Sequence, residues 1–125
     1  MKMDEMVLVS VDDHITEPGD VFDGRLSGEA LAAAPQLKTT TEGTNYWSYQ
    51  GKTKPGIGLN AVVGRPLEEY GMEPNALTDM RAGCYDVHAR IDYMNVNGIA
   101  VQMNFGNSIG FDNDTIHQAK DKDLA

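Results

Sequence analysis

Met6-Val7-Leu8-Val9-Ser10-Val11-Asp12-Asp13-His14-Ile15-Thr16-Glu17-Pro18 is the stretch on which the reading of the fold turns. The run from Met6 to Val11 is apolar and β-branched nearly throughout, which predicts a strand over about 6–12 buried on both faces, as in a parallel sheet. Side chains alternate along a strand, so Asp12 and His14, two residues apart, leave its carboxyl end on one side and Asp13 leaves on the other. A carboxylate and an imidazole so placed suit a divalent cation, zinc or manganese, and amount to half of a metal site. Asp13 is expected to accept surface or backbone hydrogen bonds instead.

The next comparable apolar run is Ile99-Ala100-Val101-Gln102-Met103-Asn104-Phe105, a second strand over about 99–105. A helix over about 86–97 precedes it directly. Asp86 is its expected N-cap, Gly98 its left-handed stop, and Val87, Ile91 and Met94 its apolar stripe, with Arg90 among the outward positions. Strand, helix and strand compose a βαβ unit. Between the first strand and this helix lie about seventy residues, over about 13–85, where a βα loop normally has about two to six, so the insertion has structure or function of its own. Within it Asp20 to Leu26 suggests a helical turn, and Glu29-Ala30-Leu31-Ala32-Ala33-Ala34 forms a helix stopped by Pro35. Asn45-Tyr46-Trp47-Ser48-Tyr49, Gln50-Gly51 and Lys52-Thr53-Lys54 read as a hairpin turning at glycine, ahead of turn-rich segments around Gly56, Gly64 and Gly71.

The chain has 125 residues, 41% of them hydrophobic, the length and composition of one small globular unit. Its 19 acidic and 10 basic residues leave a formal charge of -9, which argues against nucleic acid or an anionic membrane as partner and favours solubility. A single cysteine, Cys84, excludes an internal disulfide framework, reads as a small buried hydrophobe, and fits a reducing compartment. Met1-Lys2-Met3-Asp4-Glu5 places acids where a signal peptide carries bases, and the apolar run behind it is too short for a membrane span, so a cytoplasmic location is expected.

Three pieces together, Val9 to Pro18, Trp47-Ser48-Tyr49-Gln50-Gly51-Lys52, and Cys84 to Ile99, resemble the amidohydrolase-related superfamily, in the branch of metal-dependent hydrolases and aromatic-acid decarboxylases. The resemblance implies a (β/α)₈ barrel with a divalent metal at the carboxyl ends of its strands. It also implies that Asp12 and His14 are the two ligands which the first strand donates, the remaining ligands and the acid or base coming from later strands. Such a barrel needs about 250 residues or more, so the chain is expected to be its amino-terminal portion: α/β, the first βαβ of an incomplete TIM barrel with a long insertion after the first strand. The implied activity is hydrolysis of an amide, ester or lactone by a metal-activated water, or decarboxylation by the same metal, in a parent enzyme that forms homo-oligomers. Two positions depart from the family pattern: Phe105 is followed by Gly106 rather than proline, and His88 stands where relatives often carry proline.

Candidate substrate contacts are Glu17, Trp47, Tyr49 and Arg65. Each has a competing structural role: Glu17 as a turn or cap acid, Trp47 and Tyr49 as packing for the hairpin, Arg65 as the partner of Glu68 or Glu69. His88 reads as a surface residue of the helix, and His117 has no second ligand at helical spacing. Two readings from other classes remain beside the enzyme. One is a non-catalytic remnant. The other is a receiver domain with paired carboxylates after its first strand, against which stand the long insertion and the lack of any acid over residues 52–60.

Overall fold

A computed structural model describes residues 5–58, 61–62, 64–71, 74–107 and 118. The opening apolar run forms β1 (Leu8–Ile15), and the segment after Gly98 forms β5 (Ile99–Gly106), its hydrogen-bonded parallel neighbour. Asp12, Asp13 and His14 thus lie inside β1, which extends three residues past the boundary the sequence suggests. The pairing runs from Leu8↔Ile99 to Ile15↔Gly106 and is irregular twice, between Leu8 and Val9, where β5 advances two residues against one, and between Ser10 and Asp13, where β1 advances three residues against two on β5. The second irregularity is a bulge that accommodates one extra residue on β1, and Val11 and Asp12, which fall within it, are both exposed.

The helix directly before β5 is α2 (Val87–Val96), which starts and stops where sequence capping rules place it. Asp86 Oδ1 accepts a hydrogen bond of 2.8 Å from the Ala89 amide, three residues on, and Gly98 sits at φ 67° past the last turn. Its face differs from expectation. Ala89, Arg90, Tyr93 and Met94 are the half-buried positions, whereas Val87 and Ile91 are exposed. Two contacts turn the helix this way: the Arg90 guanidinium finds acceptors on the sheet, and the Tyr93 ring closes over Gly83, where a Cβ would lie 2.3 Å from the ring.

The insertion contains α1 (Gly28–Ala33), ended before Pro35 as expected, and three strands, β2 (Gln36–Thr39), β3 (Asn45–Tyr49) and β4 (Lys52–Lys54). They form an antiparallel sheet in the order β2-β3-β4. The β3–β4 hairpin turns through Gln50 (φ 48°) and Gly51 (φ 79°), two left-handed residues in a row, the conformation that matches the twist of hairpin strands. Strand β2, a four-residue edge just past Pro35, carries no period of its own in the sequence. Pairing with β3, Leu37 against Trp47, is what makes it a strand.

The hydrophobic core lies in the insertion. Trp47, Ile57, Met80 and Cys84 cluster there, with Val21, Phe22, Leu37 and Tyr85 packed around them. The expectation of a first strand buried on both faces is not met among the described residues. Leu8, Val9, Val11, Val101, Met103 and Phe105 are all exposed, by 38–62%; among the described residues α2 packs on one face of the parallel pair and no layer covers the other. The described residues therefore constitute a mixed α/β structure with no closed barrel. Among them no helix is long and apolar enough to cross a membrane.

Among the described residues the two-stranded parallel sheet has an open apolar face and open edges, an arrangement that invites pairing with another copy. We expect self-association at micromolar concentration, with a sedimentation coefficient that rises with loading. Met103→Glu, which places a charge in the middle of the open face, should shift the chain toward monomer. A concentration-independent monomer for the unmodified chain would contradict this expectation.

Candidate metal half-site and adjoining cleft

Residue alternation resumes after the bulge and sets the two sides of the carboxyl end of β1. Asp12 and His14 project away from α2, with Asp12 Oδ1 and His14 Nε2 3.7 Å apart and both side chains open to solvent, 85% and 46% exposed. The His14 ring lies against Phe105 of β5, centroids 6.0 Å apart at a tilt of 42°. Asp13 projects toward α2. Its Oδ1 accepts a long hydrogen bond of 3.4 Å from Gln102 Nε2 and lies 4.0 Å from Arg90 Nη2, while its Oδ2 is buried with no hydrogen-bond partner among the described residues.

The donor chemistry of the first pair fits zinc or manganese, a carboxylate oxygen with an imidazole nitrogen. Two ligands of one tetrahedral ion at about 2.0–2.1 Å stand about 3.3–3.4 Å apart, so side-chain rotation closing the pair by a few tenths of an ångström suffices. The pair is half a donor set: among the described residues, no three His, Cys, Asp or Glu side chains converge as a metal site. His88 is exposed in the first turn of α2, and His117 lies outside the described residues.

On the helical side of the sheet is a cleft of about 730 Å³, walled by Ile15 at the end of β1, Asp20 and Arg25 from the turn after Pro18, Tyr85, and the side chains of Arg90 and Asn104. The turn is held by the Asp23 amide donating to the Asp20 carbonyl and the Leu26 amide donating to the Phe22 carbonyl, which bears out the helical turn read there. The cleft adjoins the start of α2, where the Asp86 carboxylate accepts from the Ala89 amide.

Arg90 is the most connected side chain of this region. Its Nε donates to Gln102 Oε1 at 2.9 Å and its Nη1 to the Gly83 carbonyl at 3.2 Å. Its Nη2 donates to both the His14 carbonyl at 3.0 Å and Asn104 Oδ1 at 2.9 Å. One planar fork thus joins β1, β5 and the segment that enters α2. Sequence reading put Arg90 on the outer face. The signal that could have placed it is the polar pair Gln102 and Asn104, which alternates with Val101, Met103 and Phe105 and marks one face of β5 as able to receive a guanidinium.

The four candidate substrate contacts are dispersed through the insertion. Glu17 is half-buried next to Thr16, whose amide donates to the Cys84 carbonyl at 2.8 Å and whose hydroxyl donates to the Ile57 carbonyl at 3.4 Å. Trp47 is 3% exposed at the centre of the insertion core. Tyr49 is half-buried at the end of β3, its hydroxyl accepting from Gln50 Nε2 at 3.2 Å. Arg65 donates from Nη2 to the Asp79 carbonyl at 2.9 Å. None of these four, nor Asp12 or His14, lines the cleft. Cys84 is buried as expected, and burial pushes its thiol up. No family model matches the chain, and no curated protein matches it.

Proposed function

We propose that the chain carries the first metal-ligand pair of a metal-dependent hydrolase of the amidohydrolase kind, and that β1, α2 and β5 are the first βαβ of its (β/α)₈ barrel. The observation that supports this reading is the Asp12–His14 pair itself: a carboxylate and an imidazole 3.7 Å apart on one side of a parallel strand, at its carboxyl end, with the helix on the other side. In barrel enzymes that end of the strands is where the chemistry is done, and the side opposite the helices faces the barrel axis. Asp12 and His14 would hold and orient a divalent cation there, and such an ion would supply a water of lowered pKa for hydrolysis of a small-molecule amide, ester or lactone. The Phe105 ring lies beside the imidazole, 6.0 Å between centroids. The same pair serves a metal-dependent decarboxylase, and the product released, carbon dioxide or a hydrolysed acid, separates the two activities.

The test uses manganese, whose unpaired electrons broaden nearby resonances. Mn²⁺ added to the chain should broaden signals of residues 11–15 and 104–106 selectively, with loose affinity, because two ligands without a third bind weakly. The double variant Asp12→Ala/His14→Ala should lose the effect. Uniform broadening, or tight stoichiometric binding that survives the double variant, would overturn the assignment.

A further inference from the structure

We infer that Arg90 is a positioning residue that sets which side chains of β1 form the metal-facing pair. This rests on the reading of Asp12 and His14 as ligands, but the device itself is a matter of strand register. The bulge between Ser10 and Asp13 interrupts the β1–β5 ladder at Asp12, the first member of the pair, and regular pairing resumes at Asp13↔Asn104 and His14↔Phe105. Side chains in a strand repeat every two residues, so a slip of one residue exchanges the faces and would present Asp13 in place of Asp12 and His14. The ladder is irregular at the point where the choice is made.

Arg90 spans that point. Its Nη2 is shared between the His14 carbonyl on β1 and Asn104 Oδ1 on β5, the two strands being held by one nitrogen at the first regular register position and its neighbour. Nε holds Gln102, the β5 partner of Ser10 on the other side of the bulge. The fork therefore brackets the irregularity from both ends. The guanidinium also lies 4.0 Å from Asp13 Oδ1, an attraction that keeps Asp13 on the helical side. Both side chains are about four-fifths buried, so solvent screens this attraction less than at an open surface. Nη1 on the Gly83 carbonyl and the Arg90 amide on the Asp86 carbonyl anchor the fork to the entry of α2. Arg90 thus works through the backbone of His14 from the face opposite the imidazole.

The experiment measures two things on the full chain: the nuclear Overhauser contact between the His14 and Phe105 rings without metal, and Mn²⁺ affinity at the pair. Arg90→Ala should abolish the ring contact and weaken Mn²⁺ binding about tenfold or more, the effect expected when support for a ligand is removed. Arg90→Lys keeps a charge but not the planar fork, and should recover only part of both; it carries the test if Arg90→Ala does not fold by circular dichroism. Met94→Ala, which trims a half-buried apolar residue of the same helix, should lower the melting temperature and leave ring contact and affinity unchanged. Loss of the ring contact in Arg90→Ala, with no Mn²⁺ effect in any form, would support positioning and refute the metal reading. Wild-type ring contact and wild-type affinity in folded Arg90→Ala and Arg90→Lys would overturn the inference and leave the metal reading in place.

Discussion

Trp47→Ala is expected to lower the free energy of unfolding by about 3–5 kcal/mol, the usual cost of emptying a large aromatic site in a core. Trp47 is 3% exposed and belongs to the same cluster as Ile57, Met80 and Cys84, the most buried apolar group among the described residues. Against a typical domain stability of about 5–15 kcal/mol, the loss removes a large share of what holds the insertion. Trp47→Phe should cost less than half as much. It keeps most of the apolar volume, and it relieves a defect, since the indole Nε1 is buried with no hydrogen-bond partner among the described residues, a situation worth about 1–3 kcal/mol. Because the chain has one tryptophan, its fluorescence vanishes with the substitution, and urea titration followed by circular dichroism is the measurement. Equal losses for the two variants would show that the indole nitrogen is satisfied and that ring shape alone matters. The consequence reaches the candidate site, because Thr16, two residues after His14, donates its hydroxyl to the Ile57 carbonyl and its amide to the Cys84 carbonyl.

Gly58→Ala should cost about 3 kcal/mol or more, at or above the upper end of overpacking effects. A Cβ at this buried position would stand 2.1 Å from the Pro74 carbonyl oxygen and 2.8 Å from the Met80 methyl. The methionine can swing aside. The carbonyl is main chain and cannot, so the segments around Ile57 and Pro74 must separate, and both residues are fully buried. Gly43→Ala is the informative comparison: its φ of +89° is strained for alanine, yet nothing lies within 4 Å, so only the backbone penalty of about 1 kcal/mol applies. A midpoint shift for Gly58→Ala no larger than that for Gly43→Ala would show that the two segments are not in the contact described.

The pattern of success and failure in the sequence reading follows the range of the forces involved. Local signals were legible. Asp86 and Gly98 delimit α2, Pro35 ends α1, and Gln50-Gly51 turns the hairpin because capping, ring closure and positive φ act within a few residues. The common side of Asp12 and His14 follows from strand alternation alone. What the sequence could not decide was anything set by a distant neighbour. Strand β2 exists because β3 lies beside it, and the bulge before Asp13 is a property of two strands together. The orientation of α2 was misread because an apolar stripe is the usual guide to a buried face, whereas here four acceptors at 2.9–3.2 Å draw Arg90 inward and leave Val87 and Ile91 outside. By itself, then, the sequence determined the elements, their caps and the pairing of a carboxylate with an imidazole on one strand. Only the tertiary structure decided that the core sits in the insertion around Trp47 and that Arg90 clamps the strands behind His14, since both depend on contacts between residues tens of positions apart.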